Sequence, residues 1–411
     1  MMKCGLLGRK LGHSYSPQIH AMLGSYSYNL FEKEPEEIED FLKNGDWTGI
    51  NVTVPYKKTV IPYLDELTPI AEKLGAVNTI VRRNGKLIGH NTDYFGFKTL
   101  LDRLPISVRH EKVLVLGSGG ASNTVCSVLE DRSAHVVVVS RTGENHYSNL
   151  HLHADAYLIV NTTPVGMYPG NGETLIPNLT NKTAYPQLRG VVDVVYNPAR
   201  TQLLLDAQKD DCIVTANGLL MLVAQAKEAA EWFTNSSISD DVIEPILDKL
   251  ESQMQNIVLI GMPGCGKSTV GKIIADKTGR KFMDADSEIV KLVGKSIPEI
   301  FVQDGEEAFR NLETKVLAEL GRQSGLVIAT GGGCVTKERN YNLLHQNGNI
   351  FWIQRKISNL PTEGRPLSNQ NSLEQMYRKR EPLYEQFRDW IIVNDSTPED
   401  AAEQILHIVE V

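Results

Sequence analysis

The segment Gly261-Met262-Pro263-Gly264-Cys265-Gly266-Lys267-Ser268 has a spacing suited to holding phosphate: a glycine, four residues, then Gly-Lys-Ser. Glycines let a turn aim several backbone N–H groups at one anion, and a helix starting there adds its positive end. Lys267 would reach the terminal phosphates and the Ser268 hydroxyl would ligate Mg²⁺, with Gly264, Cys265, Gly266 and Thr269 forming the loop and first turn. Downstream, Asp284 and Asp286 flank Ala285. One carboxylate can serve the Mg²⁺ shell while the other accepts a hydroxyl proton. Arg310 and Arg380 are candidate anion clamps, because a guanidinium grips a carboxylate with two parallel bonds.

A second phosphate-type loop lies earlier. Gly117-Ser118-Gly119-Gly120-Ala121-Ser122 is a tightened form of the dinucleotide-binding turn. The next apolar run ends in Ser140-Arg141-Thr142. An acidic residue there would bind a ribose 2′-hydroxyl, whereas Arg141 suits a 2′-phosphate, which favours NADP over NAD. Before residue 100 come polar clusters: His13-Ser14-Tyr15-Ser16-Pro17, Asn51-Val52-Thr53-Val54-Pro55-Tyr56-Lys57, Ala76-Val77-Asn78-Thr79 and Asn91-Thr92-Asp93. Each alone would pass for a cap or turn. Together they supply the hydroxyls, amides, ammonium and carboxylate that a hydroxylated acid needs around it.

These groups must be positioned by buried strands. Val113–Leu116, His135–Val139, Tyr157–Val160 and Val191–Val195 are unbroken apolar runs, as fully buried parallel strands are. Ile257–Ile260, Leu326–Ala329 and Ile350–Ile353 read the same way. Helical patterns alternate with them, at Thr124–Leu129, Thr269–Asp276 and Asp240–Gln255 among others. The expected fold class is α/β, with ligands at the carboxyl ends of the strands.

A chain of 411 residues is long enough for two to three domains, each with its own core. With 41% hydrophobic and 22% charged residues, a largely disordered chain is excluded. A net charge of −8 without a long basic run argues against nucleic acid as a partner. No apolar run approaches the roughly 18 residues a membrane helix needs. The first residues are too weakly apolar for a signal peptide, so we expect a cytoplasmic protein without a membrane partner. Five scattered cysteines without a Cys-x-x-Cys pair suggest neither a disulfide framework nor zinc. Oligomeric state is not assigned.

From residue 255 onward the order of motifs resembles shikimate kinase: the phosphate loop, Asp284-Ala285-Asp286, Gly305 to Glu313, Thr330-Gly331-Gly332-Gly333, Arg365-Pro366-Leu367 and Arg380-Glu381-Pro382-Leu383-Tyr384. The resemblance implies a P-loop kinase with a parallel sheet, using ATP and Mg²⁺. It implies Asp286 as the base at the substrate hydroxyl, Asp284 with Ser268 at the metal, and Lys267 in phosphoryl transfer. Arg310, Gly332 and Arg380 would surround shikimate, and Arg365 would meet ATP from a lid. The lid ends Arg-Pro-Leu-Ser, where the family more often has a second leucine.

Residues 1–235 resemble shikimate dehydrogenase. The polar clusters above carry the match, with the Gly117–Ala121 loop, Asn161 to Met167, Asp193 to Pro198 and Asn217 to Gln225. The resemblance implies substrate contacts from Ser14, Ser16, Thr53, Asn78, Asp93, Tyr196 and Gln225. It implies Lys57 and Asp93 as the catalytic pair, and Val194, Gly218 and Met221 near the nicotinamide. NADP(H) would lie against Gly117, Ser118, Gly119, Gly120, Ala121, Ser140, Arg141 and Thr142. Two departures stand out: Glu144 follows Arg141 where a second basic residue is usual, and the stretch from Arg141 to Asn161 is short for a strand-and-helix unit. The expected organisation is a substrate lobe at 1–100 completed by helices at about 217–235, a Rossmann-type NADP lobe at 101–216, a linker helix at 236–254 and the kinase at 255–411. The two implied reactions are consecutive: 3-dehydroshikimate to shikimate, then shikimate to its 3-phosphate. The alternatives are that only one half is catalytic, or that the first half oxidises quinate or shikimate with NAD.

Overall fold

The computed structural model describes residues 2–12, 14–177, 179, 184–360 and 370–409. Arg365 and His13 lie outside them. The chain forms two units: residues 1–165, 174–196 and 206–247 in the first, and 166–173, 197–205 and 248–411 in the second.

The first unit holds two sheets. One has six strands in the order Ser27–Glu32, Lys3–Gly8, Gly49–Val52, Thr79–Arg83, Lys86–His90, Glu66–Leu67, with parallel and antiparallel pairs. Its core is Leu7, Ile38, Leu42, Ile50, Val52, Tyr56, Ile80 and their neighbours. The helix Ser16–Leu23 opens with Pro17, which suits a first turn whose N–H groups need no partner inside the helix. The helix Pro69–Leu74 is capped by the Thr68 hydroxyl and stopped by Gly75 at φ 59°. That stop delivers Ala76 to Thr79 to the sheet.

The other sheet is wholly parallel, in the order Val214–Ala216, Gly190–Asp193, Leu158–Asn161, Lys112–Leu116, His135–Val139. Chain order reverses on either side of Lys112–Leu116, the place where such sheets open a ligand crevice. The Gly117 loop follows that strand and leads into the helix Gly120–Asp131. His135–Val139 is an edge strand. Between Ser140 and the strand Leu158–Asn161 lie only an isolated bridge from Ser140 to His146 and a 3₁₀ segment, Tyr147–His153. The short stretch noted in the sequence therefore keeps its strand, Leu158–Asn161, but has no α-helix leading into it.

The second unit is built on a parallel sheet ordered Lys281–Asp284, Leu326–Ala329, Asn256–Ile260, Gly348–Gln354, Trp390–Val393. The central strands are fully buried, which is why they read as unbroken apolar runs. Order reverses at Asn256–Ile260, and the Gly261–Ser268 loop leaves from its end into the helix Lys267–Thr278. Residues 197–205 belong to this unit: Arg200 donates to the backbone carbonyl of His345 at 2.8 Å, and Ala199 N–H to the Asn347 side chain at 2.9 Å.

Candidate active sites

In the first unit Lys57 sits just past the strand Gly49–Val52, and Asp93 is the first residue of the helix Asp93–Asp102. Lys57 Nζ reaches Asp93 Oδ2 at 2.5 Å, with both side chains partly shielded from water. A carboxylate at a helix N-terminus is favoured by the unpaired N–H groups there. Thr53 N–H donates to Leu7 O at 2.9 Å, which holds the Thr53–Lys57 turn against the sheet.

Asn78 is buried and shares its Oδ1 with the Thr92 N–H at 2.7 Å and the Thr79 hydroxyl at 3.1 Å. Its Nδ2 donates to Thr92 Oγ1 at 3.0 Å, and the Thr92 hydroxyl reaches Gln225 Oε1 at 3.3 Å. Gln225 comes from the helix Leu219–Thr234. Ser14 Oγ accepts from Ser16 N–H at 3.2 Å, so the two hydroxyls are set by one turn. Tyr196 meets Tyr15 edge-on, ring centroids 6.2 Å apart, and burial pushes its hydroxyl pKa up.

Gly218 lies so close to Val194 that a Cβ there would stand 2.0 Å from the Val194 carbonyl. Met221, one turn on, packs its backbone on Gly96 of the helix Asp93–Asp102. These contacts bring Val194, Gly218 and Met221 to the helix that begins with Asp93. In the Gly117 loop, Gly117 has φ 110° and backs onto Thr162 and Thr163. A Cβ at Gly119 or Gly120 would meet nothing within 4 Å. The loop thus faces open space at a helix N-terminus, a fit for a pyrophosphate. Ser140 is buried, whereas Arg141 and Thr142 are exposed, and Arg141 is the only Lys or Arg between Ser140 and Tyr157.

In the second unit Gly261, Gly264 and Gly266 all have positive φ, the backbone a phosphate-wrapping turn needs. Lys267 Nζ folds back onto the carbonyls of Gly261 at 2.9 Å and Met262 at 3.0 Å. The Cys265 carbonyl accepts from Asn394 Nδ2 at 2.7 Å, which braces the loop from the strand-end beside it. Ser268 Oγ meets Asp284 Oδ2 at 2.7 Å. A hydroxyl and a carboxylate oxygen at that spacing are hard donors of the kind Mg²⁺ takes. The other Asp284 oxygen caps its helix by accepting from Ser287 N–H at 3.0 Å.

Asp286 lies in the first turn of that helix, against Gly331: a Cβ on Gly331 would be 2.8 Å from Asp286 Oδ1 and 2.6 Å from Glu313 Oε1. Arg310 is buried and donates to Glu313 Oε2 at 2.8 Å, while Gly333 gives its guanidinium room. Burial pushes the Glu313 carboxyl above its ordinary range; Arg310 pulls it back and Asp286 adds to the rise. Arg380 donates to Gly332 O at 3.1 Å, and the Tyr384 hydroxyl donates to the same oxygen at 2.5 Å. Tyr384 is itself fixed by stacking on Trp352. The strand-end glycines therefore gather Asp286, Arg310 and Arg380 into one place. Glu313, Tyr384 and Asn394 complete the setting, and the sequence reading did not single them out. Arg365 is outside the described residues.

Comparison with known proteins follows this division. The shikimate dehydrogenase substrate binding domain model matches residues 6–80, and the shikimate kinase model matches residues 263–410. A shikimate dehydrogenase (NADP(+)) of Clostridium perfringens is 36% identical over 269 residues, spanning 60% of this chain and 97% of its own. The chain belongs to the shikimate dehydrogenase family and carries a shikimate kinase domain. A chorismate mutase/shikimate 5-dehydrogenase fusion protein from Clostridium acetobutylicum is 34% identical with a TM-score of 0.56, over 61% of this chain and 97% of that one. A shikimate 5-dehydrogenase from Thermus thermophilus, solved with NADP(H) and shikimate, is 28% identical with a TM-score of 0.54, over 61% and 99%.

The Lys57–Asp93 pair and the Gly117 loop thus sit in the dehydrogenase part. The Ser268–Asp284 contact and the Gly331–Gly333 cluster sit in the shikimate kinase domain. Among the described residues no helix is long and apolar enough to cross a membrane. Two enzyme domains of the shikimate pathway share this chain.

Proposed function

We propose that the chain reduces 3-dehydroshikimate to shikimate with NADPH and then phosphorylates shikimate at its 3-hydroxyl with ATP and Mg²⁺, in the cytoplasm. The observation that carries this reading is that each part brings reactive groups together: Lys57 against Asp93 at 2.5 Å, and Ser268 against Asp284 at 2.7 Å beside Lys267. Those two contacts disfavour a chain with one part reduced to a scaffold.

The cofactor supplies hydride to the 3-keto carbon. Oxygen then gains charge, and the Lys57 ammonium is placed to neutralise or protonate it while Asp93 orients both Lys57 and the hydroxyl. Ser14, Ser16, Thr53, Asn78, Tyr196 and Gln225 hold the carboxylate and the remaining hydroxyls. Val194, Gly218 and Met221 line the nicotinamide side. Gly117 to Ala121 receive the pyrophosphate, and Ser140, Arg141 and Thr142 the adenosine 2′-phosphate.

In the kinase part, ATP supplies the phosphoryl group. Asp286 accepts the 3-hydroxyl proton, and Arg310, Arg380 and Gly332 hold shikimate. Gly264 to Thr269 wrap the phosphates, Lys267 steadies their charge, and Ser268 and Asp284 hold Mg²⁺. We assign the substrate lobe to 1–100 with helices at about 217–235, the NADP lobe to 101–216, the linker helix to 236–254 and the kinase to 255–411.

A second reading, NAD as the cofactor, is favoured by one observation: Glu144 shares the shortened loop with Arg141. The deciding experiment is a coupled assay of the purified chain with dehydroshikimate, NADPH or NADH, and ATP–Mg²⁺, read as shikimate 3-phosphate. No product with either nicotinamide, while added shikimate is phosphorylated, would discard the reductase assignment.

A further inference from the structure

Three strands place a row of polar side chains beneath the dehydrogenase site. Ser27–Glu32 and Gly49–Val52 flank Lys3–Gly8 on opposite sides, with Tyr28 opposite Cys4 and Asn51 opposite Leu6. Cys4 and Leu6 are two apart and share a face, so Tyr28 and Asn51 do too. The Tyr28 hydroxyl donates to Asn51 Oδ1 at 2.7 Å. Asn51 Nδ2 donates to Thr79 Oγ1 at 3.1 Å, and the Thr79 hydroxyl to Asn78 Oδ1 at 3.1 Å. From Asn78 the row continues through Thr92 to Gln225.

At its other end the row stops at the Tyr28 hydroxyl. A phenol has one proton. Tyr28 gives it to Asn51, which in turn donates from Nδ2 to the Asn78 backbone carbonyl at 3.3 Å. The Tyr28 ring is itself pinned, stacked on His20 with centroids 4.0 Å apart and planes 10° apart. Thr79 and Thr92 are fully buried and Asn51 nearly so. A buried hydrogen-bonded row of this kind holds few alternative arrangements, because any break leaves a donor or acceptor unpaired.

We propose that Tyr28 and Thr79 are positioning residues for substrate binding by the dehydrogenase: Tyr28 holds the Asn51 side chain, and Asn51 and Thr79 together set the Asn78 carboxamide. This rests on the reading of Asn78 as a substrate contact. Neither Tyr28 nor Thr79 acts on the substrate directly.

The test is steady-state oxidation of shikimate by NADP⁺ with the full chain, with kinase turnover of the same preparation as a folding control. Tyr28→Phe keeps the ring stack and removes the hydroxyl. It should raise the shikimate KM about five- to tenfold, the scale of one hydrogen bond, with kcat and the NADP⁺ KM within about twofold of wild type. A double-mutant cycle separates positioning from general loosening. If Tyr28 and Thr79 act through Asn78, neither Tyr28→Phe nor Thr79→Val adds to Asn78→Ala. An unchanged shikimate KM in Tyr28→Phe, or effects that multiply in the cycle, overturns the proposal. If Asn78→Ala itself leaves the KM unchanged, the assignment of that contact falls and this inference falls with it. Should Tyr28→Phe leave the dehydrogenase unfolded, Thr79→Val with Asn78→Ala decides by the same criterion.

Discussion

Lys57 and Asp93 are 36 positions apart in sequence and meet at 2.5 Å. The strand before Lys57 and the helix that starts at Asp93 belong to one unit, and the helix N-terminus is a favourable place for the carboxylate that holds the ammonium. The expected consequence is a site in which removal of the amine leaves binding mostly intact and chemistry impaired. Lys57→Ala should lower dehydrogenase kcat about 100-fold or more, the scale of one acid–base or charge-stabilising group, with kinase turnover near wild type. Near-normal reduction of dehydroshikimate by this variant would remove Lys57 from the chemistry.

Arg310 and Arg380 converge on the same glycines but differ in surroundings. Arg310 is buried against Glu313, which is wholly buried; Arg380 bonds a backbone carbonyl. Both Arg310→Ala and Arg380→Ala should weaken shikimate about 10- to 150-fold in KM while changing the ATP KM little. Only Arg310→Ala strands a buried carboxylate, so only it should lower the stability of the kinase part, by about 3 kcal/mol. Adding Glu313→Ala to Arg310→Ala should restore much of the melting temperature and none of the shikimate binding. Equal stability losses for the two single variants would contradict this division.

The positions of these arginines were legible in sequence, but the difference between them was not. Parallel strands buried on both faces announce themselves as apolar runs, and Leu326–Ala329 has the bounds its composition suggests. His135–Val139 also has the expected bounds but not the expected full burial, because it lies at the sheet edge and is covered only in part. The run Val191–Val195 misleads: its strand ends at Asp193, because that buried carboxylate accepts from Asn161 Nδ2 and from Val195 N–H at 3.0 Å and turns the chain. The phosphate loops were legible because their chemistry is local. Glu313, Tyr384 and Tyr28 were not, since each acts through a neighbour brought close only by sheet order. Tyr28 reaches Asn51 across an intervening strand, a relation no spacing within either segment encodes.

Arg141 stands at the end of an edge strand, in a loop that lacks a further Lys or Arg before Tyr157 and contains Glu144. Discrimination for a 2′-phosphate therefore falls on one guanidinium. Arg141→Asp should raise the NADPH KM about 10- to 100-fold, as expected for one charge-assisted contact, and the NADH KM far less. Glu144→Lys should move preference the other way. A wild-type enzyme that already turns over NADH better than NADPH would show that Arg141 is not the discriminator.

His20 gives the dehydrogenase part an acid-sensitive element. Its ring lies buried between Tyr28 and Phe233, with Nδ1 at 2.7 Å from the Tyr26 hydroxyl. Burial lowers its pKa from an ordinary 6.5 to about 3, and burial likewise lowers that of His90 to about 4. An unfolded chain takes up these protons as pH falls through 6.5, whereas the folded chain resists until about 3 and about 4. In that window the unfolded state binds more protons, so stability falls on acidification and is flat for these groups above it. Each histidine contributes a slope of up to about 1.4 kcal/mol per pH unit, or roughly 2 kcal/mol lost for His20 between neutrality and about pH 5. The check is thermal inactivation of dehydrogenase activity across that range for wild type and His20→Gln. The variant should be less stable at neutral pH, having lost the stack on Tyr28, yet its stability should fall less steeply with acid. An unchanged acid slope would mean that His20 already takes up its proton in the folded protein.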